Sequence, residues 1–207
     1  MTGRRQLALL ALAAGLIAVV AGGAGLVLTR HPVAAQYAAA PTLPAPTGPI
    51  AAPAQQSSAP VSLPVALTIP SIGVQTSLVH LGLTPAGALQ VPSSTAVAGW
   101  FTGSPRPGAT GSAVIAGHID SKAGPGVFFR LSALRAGDKV YVRRADGTLA
   151  AFRVTSVSQY AKDKFPTAAV YGATPDAELR LITCGGTFDY ATRSYLSNTV
   201  VYAVETS

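Results

Sequence analysis

The sequence predicts a mainly β domain, folded as a closed or nearly closed β-barrel, behind an N-terminal membrane helix and a linker. Three observations lead to this prediction: an uncharged apolar run near the start, a Pro- and Ala-rich stretch without apolar periodicity, and short β-type runs from there to the end. Many short strands with few helices are typical of a β-barrel. The last part, residues 65–207, has a normal length for one domain with one core.

Residues 1–31 predict a cytoplasmic tip and a membrane anchor. The run from Gln6 to Thr29 carries no charge and is long enough to cross a hydrocarbon core of about 30 Å. Arg4 and Arg5 precede this run, which favours a cytoplasmic N-terminus. A cleaved signal segment is the alternative, because the following "HPVAAQYAAAP" offers small residues to a signal peptidase. Either interpretation puts the rest of the chain outside the cell, and the anchor predicts a single-pass protein of the cell membrane.

Residues 32–64 predict a disordered linker. They are mostly Ala, Pro, Ser, Thr and Gln, a composition that cannot bury a core and favours an extended, semi-rigid spacer. From residue 65 onward, the sequence contains 12 Lys and Arg and 8 Asp and Glu, so the domain has a net charge of only +4. With no recognition motif and an exported location, this mild charge argues against nucleic acid as a partner.

The sequence from residue 65 onward predicts a succession of short β-strands. "SAVIAGHI" (112–119) is too apolar for an exposed strand, and Asp146-Gly147 predicts the two-residue turn of a hairpin. Only "GVFFRLSALRAGD" looks helical, with Gly137 as its stop. The predicted strands are "VALTIP" (65–70), "GVQTSLV" (73–79), "ALQV", "AVAGWF", "SAVIAGHI", the two halves of "KVYVRRADGTLAAFRVTSVSQY", "ELRLITC" and "NTVVYAV".

Cys184, the only cysteine of the chain, ends one of these strands. A single cysteine in an exported protein has no internal disulfide partner, so it is a link between chains, a free thiol or a small buried hydrophobe. Gly185 and Gly186 follow it, and residues without side chains leave room for a substrate backbone. These features favour a reactive thiol.

His118 also ends an apolar strand and follows a glycine. An imidazole beside a thiol can take its proton and later protonate a leaving amine. His31 and His80 are interpreted as surface or packing residues. One cysteine, one well-placed histidine and no carboxylate cluster do not make a tetrahedral zinc site, so we predict no metal and no other cofactor.

A third group is needed if the thiol performs acyl transfer, because the developing oxyanion requires a donor. Arg193, in the stretch between Cys184 and the last strand, can supply fixed guanidinium donors. Arg180 is the alternative, since it lies four residues before Cys184 and on the same face of an ideal strand, although a side chain satisfied inside the barrel or at its far end is the favoured interpretation. Asp120 either orients His118 or caps the next turn.

The motifs "LITCGG" and "AVIAGHID", with a following loop arginine, resemble those of sortases, the membrane-anchored cysteine transpeptidases of Gram-positive cell surfaces. The similarity extends in order over nearly all of residues 65–205 and includes "LTIPSIGV", "GWFTGSPRPGATGSAVIAGHIDS" and "VFFRLSALRAGDKV". The residues of the motifs "GHIDS", "TCGG" and "SNTVVYA" most resemble those of the class F sortases of actinobacteria.

The resemblance implies an eight-stranded sortase barrel, monomeric, with Cys184 as nucleophile, His118 as general acid/base and Arg193 as oxyanion or substrate clamp. It further implies cleavage of an LPXTG-type sorting signal after its Thr and transfer of the acyl group to an amine of a peptidoglycan precursor or surface protein. One departure concerns the arginine. Sortases usually carry it at or just before the last strand, where this chain has Leu196, Ser197 and Asn198, so the loop must fold back to deliver Arg193.

The resemblance also implies a substrate groove, one wall of which is the segment 161–178. Its Phe165, Val170 and Tyr171 are expected to line a pocket for the Leu-Pro part of the signal. Gly185 and Thr183 complete the predicted substrate-binding set, Thr183 in a positional role because it faces away from Cys184 in an ideal strand. Too few carboxylates lie in this segment for a calcium site, which predicts calcium-independent activity.

Two other functions stay open at this point. A cysteine hydrolase would use the same residues and release the peptide to water. A non-catalytic barrel that binds surface peptides would be favoured if Cys184 were buried and distant from His118.

Overall fold

The computed structural model describes residues 60–206 of the 207-residue chain. The predicted membrane helix and most of the predicted linker lie outside the described residues, and both stay predictions. Within residues 60–206, no helix is both long enough and apolar enough to cross a membrane.

Eight strands close a barrel in the order β1-β2-β3-β4-β9-β10-β8-β7, and β5 and β6 form a separate two-stranded sheet. This confirms the predicted eight-stranded, mainly β fold. The strands are β1 Pro64–Ile69, β2 Val74–Leu81, β3 Ala98–Phe101, β4 Gly111–Gly117, β5 Asp120–Ser121, β6 Gly124–Pro125, β7 Lys139–Arg144, β8 Leu149–Ala161, β9 Ala177–Asp189 and β10 Ser194–Glu205.

Three neighbouring strands, β4, β9 and β10, are covered on both faces. Side chains alternate between the faces of a strand, and the two faces of these strands belong to two different apolar clusters. Ile115, Leu181 and Val201 belong to the larger cluster, which fills the barrel interior. Their neighbours Ala116, Ile182 and Val200 belong to a second cluster outside the barrel. Burial on both faces explains why the sequence of β4 is apolar throughout.

The helix α1 (Thr167–Tyr171) covers this outer cluster. It is the one α-helix among the described residues, and it lies in the segment predicted as a groove wall. Three short 3-10 turns accompany it, at Pro70–Ile72, Leu131–Ala133 and Lys162–Lys164.

The predicted helix in "GVFFRLSALRAGD" is wrong: this segment contains only the 3-10 turn Leu131–Ala133. Its fully buried side chains are Phe128, Leu131 and Leu134, which pack into the interior cluster. Their spacing of three residues matches the three residues per turn of a 3-10 helix. The predicted strand "ALQV" forms only an isolated bridge between Leu83 and Leu89.

The last two strands are longer than predicted. β9 continues past Cys184 to Asp189, and β10 begins at Ser194. What the sequence analysis treated as a loop is therefore the end of a long hairpin, and this decides where Arg193 lies.

Candidate active site

Cys184 lies on the outer face of β9, in a row of side chains that crosses four strands. It pairs with Asn198 on β10, and Asn198 pairs in turn with Tyr160 on β8. On the other side, the parallel β4–β9 ladder runs without a register shift as far as Ala116 and Ile182. The pairing ends there, and His118 follows Ala116 by two residues, as Cys184 follows Ile182 by two. We call His118, Cys184, Asn198 and Tyr160 the active-site row.

The thiol of Cys184 is buried, with 4% of the residue exposed. Burial raises its pKa, the charge of Lys162 lowers it, and the charge of Asp120 raises it. Because the largest of these effects favours the neutral thiol, the thiolate needs a base to form.

His118 is the base that the row offers. Its Nε2 lies 2.7 Å from the carbonyl oxygen of Pro92. A carbonyl only accepts hydrogen bonds, so Nε2–H is the donor, and Nδ1 is the ring nitrogen left to accept the thiol proton. The backbone is held as well, because Phe128 N–H donates to the His118 carbonyl at 2.9 Å. Sequence reasoning missed Pro92, which lies 26 residues away and acts through its backbone.

Asp120, predicted as a possible orienting residue, has a different contact. Its Oδ2 accepts a hydrogen bond from the Tyr195 hydroxyl at 2.5 Å, and this bond raises the pKa of Tyr195 to about 12. The group bonded to the His118 ring is the Pro92 carbonyl. The orienting role of Asp120 is therefore corrected: Asp120 ties the segment after His118 to the start of β10.

Arg193 lies at the end of the β9–β10 hairpin, in a left-handed conformation with φ of 52°. Its side chain is exposed. Five residues separate it from Asn198, which corresponds to about 16 Å along an extended strand. The structure does not bring Arg193 to Cys184. Leu196 lies nearer, at an irregularity of the ladder, but it is apolar and 51% exposed.

Arg180, the alternative arginine, shares the outer face of β9 with Cys184 but lies four residues closer to the start of the strand. Its guanidinium is 2.6 Å from Glu178 Oε2 and 4.6 Å from the centre of the Tyr202 ring. It is 3% exposed. These partners match the structural interpretation of Arg180.

Lys162 is a cation that sequence reasoning missed. It follows directly after β8, whose last residue Ala161 pairs with Ser197, the neighbour of Asn198. Its Nζ donates to Ser194 Oγ at 2.9 Å. Only the pairing of β8 with β10 brings Lys162 to the site, and no signal in the sequence could have found it.

Thr183 and Gly185 do not face a substrate. Thr183 is 1% exposed and pairs with Thr199, and alternation directs it to the barrel interior with Leu181. A Cβ on Gly185 would lie 2.5 Å from Thr199 Oγ1. The missing side chain of Gly185 therefore makes room for Thr199, and both predicted substrate contacts are corrected.

The three predicted groove residues differ in exposure. Val170 is fully buried and Tyr171 is 5% exposed, because both hold α1 against the outer cluster. Their predicted role in lining a substrate pocket stays a prediction. Phe165 is half-buried, with its ring centre 6.1 Å from that of Tyr160 in the active-site row.

Known proteins with this fold are sortases. The sortase A lid mutant of Corynebacterium diphtheriae is 23% identical, with 70% of each chain covered and a TM-score of 0.53. Sortase C-1 of Actinomyces oris is 20% identical, covering 70% of this chain and 75% of that chain at a TM-score of 0.53. The pilus-related sortase C of Group B Streptococcus is 19% identical, covering 71% and 69% at a TM-score of 0.53. No curated protein matches the chain.

At these identities, the structural matches show the fold alone. A family model of the sortase domain, however, matches residues 67–206. This chain belongs to the sortase family. Family membership implies a cysteine transpeptidase of the cell surface, whereas the similarity to class F stays a prediction.

Proposed function

We propose that this protein cleaves an LPXTG-type sorting signal after its Thr, through a thioester on Cys184, and transfers the acyl group to an amine of the cell wall or of a surface protein. The observation that carries the proposal is that His118 and Cys184 each follow, by two residues, the last pair of the β4–β9 ladder, within a chain of the sortase family. The uncharged run from Gln6 to Thr29 supports an enzyme anchored in the cell membrane with its barrel outside, and we propose that it acts as a monomer.

In the first half-reaction, His118 Nδ1 takes the proton of the thiol, and the Cys184 thiolate adds to the carbonyl carbon of the signal's Thr. The tetrahedral intermediate collapses, the C–N bond breaks, and the imidazolium gives its proton to the leaving amine. In the second half-reaction, the acceptor amine adds to the thioester and passes a proton to His118. Cys184 then leaves as a thiolate, and an amide remains.

Burial of the thiol alone would fit a binding module as well as an enzyme. The alternative function required a cysteine that is both buried and distant from His118, and the register argues against the second condition. The motifs "GHIDS" and "TCGG" support placing the enzyme in class F.

The experiment uses the full chain in detergent, a fluorogenic LPXTG-type peptide and a primary-amine acceptor, with products identified by mass spectrometry. We expect a thioester adduct and an amine-linked product from the wild type, and neither from Cys184→Ala. Free acid alone in the presence of abundant amine would identify a hydrolase. A folded wild-type protein that forms no adduct with a series of signals would refute the proposal in favour of a binding module.

A further inference from the structure

Asn198 differs from the other buried polar residues of the barrel because its whole side-chain amide is unpaired. Its side chain is fully buried, and neither Oδ1 nor Nδ2 has a hydrogen-bond partner among residues 60–206. Nearly all buried amides in folded proteins are hydrogen-bonded, because leaving one unpaired costs stability. Because neither end of the Asn198 amide has a partner, a contribution to the stability of the fold does not explain this residue.

The position of Asn198 supplies another explanation. It lies directly opposite Cys184 in the antiparallel β9–β10 ladder. Residues paired in this way have Cβ atoms about 5 Å apart on the same face of the sheet. The neighbouring pair, Ile182 and Val200, belongs to the outer cluster, so Asn198 and Cys184 share the outer face where the row lies.

We propose that Asn198 is a catalytic residue of the transpeptidation, as the donor to the oxyanion. This inference rests on the function proposed above. When the thiolate has added to the Thr carbonyl, the negative charge sits on an oxygen bound to the carbon that Sγ has attacked. The Nδ2–H group of Asn198 donates a hydrogen bond to that oxygen. A buried carboxamide that is already in position is an efficient donor, because it needs little reorganisation during the reaction.

The cations near the site are already engaged or distant. Arg193 is exposed at the hairpin end, about 16 Å along the strand from Asn198. Arg180 is paired with Glu178, and Lys162 donates to Ser194. Asn198 combines a free donor with a place beside the nucleophile.

The test is the substitution Asn198→Leu, which keeps the volume and removes the amide. An Asn198 with no role in catalysis predicts an unchanged or higher Tm and unchanged activity, because the variant no longer buries an unpaired polar group. A catalytic Asn198 predicts the same Tm with kcat/KM lower by about 10²–10³-fold, mostly in kcat. Alkylation of Cys184 by iodoacetamide forms no oxyanion, so its rate should stay within about twofold of the wild type.

Ser112→Ala is the matched control. Ser112 is also buried with an unpaired side-chain oxygen, and it lies at the far end of the β4–β9 ladder opposite Glu178. Its removal should leave peptide turnover unchanged. If Asn198→Leu folds poorly, Asn198→Ala takes its place with the same expected results.

Three results would overturn the inference. The first is an Asn198 variant with turnover within about threefold of an active wild type. The second is a parallel loss of Tm, alkylation and turnover, which would make the residue structural. The third is a larger loss of turnover from Arg193→Ala than from Asn198→Leu, which would show that the Arg193 guanidinium is the main donor to the oxyanion. An inactive, folded wild type would instead refute the proposed function itself, and the inference with it.

Discussion

The outer face of β9 treats buried polar groups differently near the start of the strand, which we call the Arg180 end, and around Cys184 in its middle, which we call the Cys184 end. At the start of the strand, Arg180 is paired with Glu178 and stacked on Tyr202, so its terminal nitrogens have partners. Four residues later, Cys184 and the fully buried Asn198 lie side by side, and the amide has no partner among residues 60–206. The outer face of the sheet thus carries, on β9, a guanidinium whose terminal nitrogens have partners although its Nε has none, and, on β10, an amide with no partner at either end among residues 60–206.

This difference separates structure from chemistry. A buried guanidinium with a carboxylate and an aromatic face stabilises the fold and has little left to give a substrate. A buried amide without partners weakens the fold, and such sites are retained where a reaction uses them. Mutations at the Arg180 end should therefore change stability, and mutations at the Cys184 end should change turnover.

The largest expected effect is at the Cys184 end. His118→Ala removes the base that takes the thiol proton, so kcat/KM should fall by about 10²–10⁴-fold. Tm should change little, because the imidazole is only half-buried and its one hydrogen bond is to the Pro92 carbonyl. Steady-state kinetics and thermal melting on the same preparation check both statements. A clear fall in Tm together with the loss of activity would show that His118 stabilises the fold. The Cys184 end would then no longer differ from the Arg180 end.

Much of this face could be predicted from the sequence. The unbroken apolar run of "SAVIAGHI" identified β4 as a covered strand, and Cys184 and His118 were singled out because each ends a predicted strand. The eight-stranded barrel followed from the resemblance and is confirmed. Local patterns suffice where a residue's role depends on its own strand.

The rest depends on pairing between distant segments. Asn198 comes level with Cys184 only after the hairpin end and the irregularity near Leu196 are counted, and neither is visible in the sequence. Arg193 was predicted at the nucleophile because the segment before β10 was interpreted as a loop able to fold back. β9 instead continues to Asp189 and β10 begins at Ser194, so Arg193 lies in the turn that joins them, beyond the paired strands.

The second expected effect is on stability, at the Arg180 end. Arg180→Met leaves the carboxylate of Glu178 without its partner and removes the contact with Tyr202. The free energy of unfolding should fall by about 3 kcal/mol, the lower end for a broken buried pair, because Glu178 keeps some contact with water. Activity per folded molecule should stay the same. Adding Glu178→Gln should recover part of the stability, and a loss of kcat without a loss of stability would make Arg180 catalytic after all.

The smallest expected effect concerns the electrostatics of the thiol. The charge of Lys162 lowers the pKa of Cys184, and the charge of Asp120 raises it. Lys162→Met should therefore shift the pH profile of Cys184 alkylation to higher pH, so that the rate at a fixed pH below the midpoint falls a few-fold. Asp120→Asn should shift the profile to lower pH, since an amide oxygen still accepts from Tyr195 while the charge is gone.

Lys164→Met is the control for these two shifts. Lys164 is exposed in the same 3-10 turn as Lys162, and its charge is not among those that act on the thiol. Its profile should coincide with that of the wild type. Equal shifts from Lys162→Met and Lys164→Met would mean that the thiol senses only the net charge of the surface. Shifts of opposite sign from Lys162→Met and Asp120→Asn, with none from Lys164→Met, would show that individual charged groups around Cys184 set the ionisation of its thiol. At the Arg180 end, the charge of the guanidinium is already paired with Glu178.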